Sequence, residues 1–148
     1  MKQIYFACSI RGGRADANFY AQLVEHIKTK ALVLTEIFAD GKLTSSGMNK
    51  PNEDIWSTDM AWIEQADAVI AEVTNPSLGV GYEIAKAEDQ HKPVLALFRN
   101  DSDRKLSAMI AGSPNVKVAN YTDINFAKQA IDDFIDSLGQ ALLSGRTR

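Results

Sequence analysis

One cysteine, two histidines and no long apolar run narrow the possibilities for this chain at once. Cys8 alone cannot close an intrachain disulfide, and with His26 and His91 far apart it forms no metal-ligand cluster, so no metal or organic cofactor is expected. No stretch approaches the roughly 18 apolar residues of a membrane span. Met1-Lys2 runs straight into Gln3-Ile4-Tyr5-Phe6-Ala7, a strand pattern and not a signal peptide, which makes the cytoplasm the expected compartment. The net charge of −3 gives no ground for binding a nucleic-acid polymer. A mononucleotide needs only a local set of donors and stays open. What is present is 148 residues, 45% hydrophobic and 24% charged, the make-up of an ordinary globular domain.

Short apolar runs alternate with amphipathic stretches from end to end. Gln3 to Cys8, Ala31 to Leu34, Ala68 to Val73, Pro93 to Phe98 and Val116 to Ala119 read as strands. Helical periodicity begins near Ala15, with Tyr20, Leu23, Val24 and Ile27 on one stripe. It returns over Asp54–Ala66, from the glycines after Ser77 to about His91, and over Asn125–Leu143. Leu106–Ala111 is a short apolar piece, residues 39–52 form a long polar loop, and residues 144–148 read as a tail. The expected fold is therefore α/β. It is a single-domain three-layer sandwich over residues 1–143, with a five-stranded parallel sheet of flavodoxin or Rossmann-like order. In that order the turns after the first and third strands open side by side at the sheet's carboxyl edge.

Those two turns carry the candidate chemistry. Ser9-Ile10-Arg11-Gly12-Gly13-Arg14 combines glycines with two arginines and a hydroxyl, a set suited to an anion at a helix start. Its spacing matches neither the dinucleotide fingerprint nor the Walker loop. An ordinary strand-to-helix turn with solvated arginines fits equally well. Ser77-Leu78-Gly79-Val80-Gly81 is a second such turn, in which Ser77 can bind an anion or simply cap the helix. Glu83 falls with Val80, Ile84 and Ala87 on the sheetward face of that helix. Asp59 lies four residues from both Ile55 and Ile63, inside the apolar face of its own helix. A buried carboxylate without partners is costly, so a pair of them suggests use. Two such groups can divide the cleavage of a glycosidic bond, one attacking and one protonating the leaving group. Tyr5, on the neighbouring strand, is placed to hydrogen-bond Glu83; it also fits a plain core aromatic. Trp56 and Trp62 suit core or interface positions better than base stacking. Cys8 reads as a buried small residue, and Glu72 inside a strand has no explanation from the sequence.

Taken together, Tyr5-Phe6, the Ser9–Arg14 turn, Asp59 with Trp62 and Gln65-Ala66-Asp67, Ala71-Glu72-Val73-Thr74, Pro76 to Glu83, and Leu106-Ser107-Ala108-Met109-Ile110 resemble the 2'-deoxynucleoside 5'-phosphate N-hydrolases. These sit within the nucleoside 2-deoxyribosyltransferase superfamily. The resemblance implies Glu83 as nucleophile at the anomeric carbon, Asp59 as the acid that protonates the departing base, and Tyr5 as the group that orients Glu83. It implies a 5'-phosphate site built from Ser9, Ile10, Arg11, Gly12, Ser77 and Gly79. Ser107, with Met109 nearby, is implied to reach the phosphate from the neighbouring subunit, hence a homodimer with shared sites. Transferases of this superfamily place an aspartate six residues before the nucleophile, where this chain has Ser77. A hydroxyl can donate to a phosphate that a carboxylate would repel.

The expected activity is hydrolysis of 2'-deoxynucleoside 5'-monophosphates to free base and 2-deoxyribose 5-phosphate. Transfer of deoxyribose between bases, hydrolysis of ribonucleotides, and nucleotide binding without turnover remain the alternatives. The first differs only in what captures the intermediate; the last leaves two carboxylates on buried faces unexplained.

Overall fold

The five apolar runs pair side by side into one all-parallel sheet, because each is followed by an amphipathic stretch long enough to cross back over it. The computed structural model describes residues 1–10, 14–35, 50–101 and 103–145. The strands are β1 (Gln3–Ala7), β2 (Leu32–Leu34), β3 (Ala68–Glu72), β4 (Val94–Arg99) and β5 (Val116–Tyr121). The helices are α1 (Arg14–Lys28), α2 (Asn52–Gln65), α3 (Leu78–Asp89), the short α4 (Ala108–Ala111) and α5 (Ile124–Gly145). Strand order is β2-β1-β3-β4-β5, the expected doubly wound order, with Tyr5 beside Val69 and Ala7 beside Ala71.

Alternation along each strand sorts the core into two layers. Ile4, Phe6, Ile70, Leu95 and Leu97 point to the face covered by α1 and α5. Tyr5, Ala7, Val69, Ala71 and Ala96 point to the face covered by α2 and α3. Side chains such as Ile4, Ile70 and Leu97 are fully buried, each contributing about 1.5–3 kcal/mol by transfer from water. The same parity puts Glu72 and Arg99 on the α1/α5 side, and Tyr5 on the α2/α3 side.

Element ends depart modestly from the sequence reading. α2 begins at Asn52, two residues before the periodic pattern, with the Pro51 carbonyl accepting from the Asp54 and Ile55 N–H groups. β5 continues through Asn120 to Tyr121, held by its pairing with β4. α5 runs on to Gly145, into the segment read as a tail. Helix α3 stops at Asp89, and His91 just beyond it takes φ 59°, the left-handed conformation usually left to glycine. The long loop expected over residues 39–52 lies outside the described residues up to residue 49.

Candidate active site

Tyr5 and Glu83 come together from different layers. Tyr5 sits mid-strand in β1 and is buried; its hydroxyl donates a hydrogen bond to Glu83 Oε2. Glu83 stands in the second turn of α3, half-buried, one residue before the fully enclosed Ile84. Trp62 of α2 packs against the Tyr5 ring with centroids 6.4 Å apart. Asp59, on the same face of α2 and one turn earlier, is half-buried, and its Oδ1 is shut off from solvent. The two carboxylates thus lie on the adjacent helices α2 and α3 above a single sheet face. Trp56 is not a core residue: it is half-exposed, and its indole donates to the Tyr82 hydroxyl at 3.2 Å.

A second group gathers around the start of α3. Ser77 has extended backbone and caps the helix by accepting from the Val80 N–H at 3.3 Å. A Cβ at Gly79 would stand 3.8 Å from Ser77 Oγ, an ordinary contact, so packing within the chain does not demand glycine there. Ser107 caps α4 by accepting from the Met109 N–H. Ser77, Ser107 and Met109 share a largely apolar cleft of about 650 Å³, completed by Lys105, Leu106 and Ile110. Tyr5, Asp59 and Glu83 are not among the residues lining it. Ser9 is buried at the carboxyl end of β1, and Ile10 beyond it is exposed. Arg11 and Gly12 lie outside the described residues. Among those described, no group of acidic, histidine and cysteine side chains could hold a metal ion. No described helix is long and apolar enough to cross a membrane.

The structure supplies the explanation for Glu72 that the sequence lacked. Its side chain is 1% exposed and accepts from the Thr74 N–H at 2.8 Å, the Thr74 hydroxyl at 3.0 Å and the Tyr121 hydroxyl. Burial raises its carboxyl above the ordinary range, outweighing those bonds and the charge of Arg99. Thr74 Oγ1 in turn accepts from the Arg99 N–H at 2.9 Å. Arg99 reaches across to Asp16 in the first turn of α1 at 3.0 Å, and Asp16 accepts from Asn75 at 2.6 Å. Burial raises Asp16, but the bonds from Asn75 and Arg99 prevail and hold its carboxyl below the usual range. Burial, followed by the charges of Glu72 and Glu83, pushes the Cys8 thiol well up, so it stays protonated and inert. Asp16, Asn75, Arg99 and Arg104 had no sequence signal as a group, since the pairs among them lie 29, 59 and 83 positions apart.

A family model described as nucleoside 2-deoxyribosyltransferase matches residues 4–131. A 5-hydroxymethyl-dUMP N-hydrolase from Mus musculus is 49% identical over 142 residues, covering 95% of this chain and 81% of the relative. A protein of the same description from Rattus norvegicus is 42% identical over 146 residues, covering 97% of this chain and 88% of its own length. Among solved structures, a CMP N-glycosidase from Clostridium botulinum superposes with a TM-score of 0.65 at 17% identity, covering 90% of this chain and 99% of that one. That likeness establishes the fold.

Proposed function

We propose that this chain, which belongs to the nucleoside 2-deoxyribosyltransferase family, hydrolyses the N-glycosidic bond of 2'-deoxynucleoside 5'-monophosphates. The observation that carries the reading is the Tyr5 hydroxyl donating to Glu83, with Asp59 on the adjacent helix α2 over the same sheet face. Glu83 attacks the anomeric carbon, and the bond to the base breaks with its electron pair leaving on the base. Asp59 protonates that base and then takes a proton from the water that attacks the same carbon. The products are free base and 2-deoxyribose 5-phosphate, and Glu83 is regenerated. Tyr5 fixes the Glu83 carboxylate on its line of approach.

Ser9, Ile10, Arg11, Gly12, Ser77 and Gly79 form the phosphate site in this reading. Relatives at 42–49% identity described as 5-hydroxymethyl-dUMP N-hydrolases support a phosphorylated substrate. Ser107 and Met109 belong to the same site across a homodimer interface. Leu78 at 97% and Met109 at 81% exposure, flanking an apolar cleft, support a partner surface there.

The test is a panel of ribo- and deoxynucleotides and their nucleosides, including 5-hydroxymethyl-dUMP and dGMP, assayed for free base. Release from deoxynucleoside monophosphates in preference to nucleosides is expected; preferential cleavage of the nucleosides contradicts the phosphate assignment. The family's transferase description favours a second reading, capture of the intermediate by another base. A new nucleotide formed on adding a competing free base would establish it.

A further inference from the structure

The polar network on the α1/α5 side of the sheet is used by no step above, yet it includes Asn75, in the turn that leads to Ser77. Asn75 lies two residues before Ser77. Its Nδ2 donates to Asp16 Oδ2 at 2.6 Å and to the Tyr20 hydroxyl at 3.2 Å, and its Oδ1 accepts from Arg104 Nη1. Asp16 stands in the first turn of α1, directly after the Ser9–Arg14 turn, and its other oxygen accepts from Arg99 at 3.0 Å. Arg104 lies three residues before Ser107. The chain of donors therefore runs from Arg104 through the Asn75 amide to Asp16, with Arg99 closing it from β4.

The orientation of the Asn75 amide is forced, since turning it over would set an NH2 against a guanidinium and a carbonyl against a carboxylate. Partly exposed ion pairs of this kind contribute little stability, but a directional chain fixes the relative placement of what it joins. We propose that the Asp16–Asn75 pair, braced by Arg99 and Arg104, holds the β3–α3 turn against the start of α1 and so fixes Ser77 for the 5'-phosphate of the substrate. These are positioning residues, and the inference rests on the hydrolase reading above. Because Asn75 adjoins Ser77, while Tyr5 holds Glu83 further along α3, the pair acts on phosphate capture more than on bond cleavage.

The test exchanges donor and acceptor. Asn75→Asp keeps the volume but sets two carboxylates together; Asp16→Asn breaks the chain from the other end. Each should raise both the KM for 5-hydroxymethyl-dUMP and the inhibition constant of inorganic phosphate about tenfold or more, with kcat within about threefold. The double exchange Asp16→Asn with Asn75→Asp rebuilds the chain in reverse and should return both constants to near the wild-type values. Single variants with unchanged KM and phosphate inhibition overturn the inference, as does a double exchange no better than its singles. Should the wild type release no base at all, the hydrolase reading fails separately. Phosphate binding by calorimetry then decides the inference: loss in Asn75→Asp and recovery in the double exchange support it, and equal binding by all forms, or none by the wild type, overturns it.

Discussion

Glu72 and Glu83 are two acidic residues eleven positions apart in different surroundings. Glu72 is held inside the sheet by three donors on the α1/α5 side. Its raised folded-state value means the native protein binds more protons than the unfolded chain, so its contribution to stability is full at acid pH and is lost as pH climbs through that value. Urea unfolding at about pH 5 and pH 8 should therefore show wild type losing ground to Glu72→Gln at the higher pH. A gap between the two proteins that does not change with pH contradicts this. Glu83 instead accepts from Tyr5, and a hydrogen bond to a charged group amounts to about 1.5–3 kcal/mol. Tyr5→Phe should lower kcat by roughly ten- to a hundredfold with little change in the melting temperature. The residues alone left Tyr5 open between a partner of Glu83 and a core aromatic, and the family resemblance implied the first. The partners of Glu72 were not, since Tyr121 lies 49 positions away and beyond the end foreseen for β5.

At the scale of elements, the start of α3 caps its own helix and is proposed to recognise the phosphate as well. Ser77 satisfies the Val80 N–H, which any good cap would do, and the helix dipole there favours an anion. Ser77→Asp separates the two tasks. Aspartate caps as well as serine, so the melting temperature should hold, while its charge should raise the KM for a 5'-monophosphate by about tenfold or more. A variant that loses stability but keeps its KM would reduce Ser77 to a cap. The helices and strands themselves were readable from the sequence, because each core layer repeats the strand period of two or the helix period of 3.6. Their ends were less so: Pro51, the αL turn at His91 and the β4–β5 pairing are set by local backbone geometry and by long-range pairing, which periodicity does not encode.

For the whole molecule, the doubly wound order brings the β1 and β3 turns to one edge and leaves Leu78 and Met109 on an apolar rim. The dimer proposed to cover that rim should be visible by sedimentation, and Met109→Lys should shift it to monomer with loss of activity. A fully active monomer would show that each site is complete within one chain. The central claim is that Glu83 is the nucleophile for a deoxynucleoside monophosphate. It is tested most directly by following free base from 5-hydroxymethyl-dUMP and dGMP with the wild type and Glu83→Ala side by side. Steady release by the wild type is expected, with a fall of about a thousandfold or more in the variant, which should bind inorganic phosphate as the wild type does. Equal base release by the two proteins would contradict it.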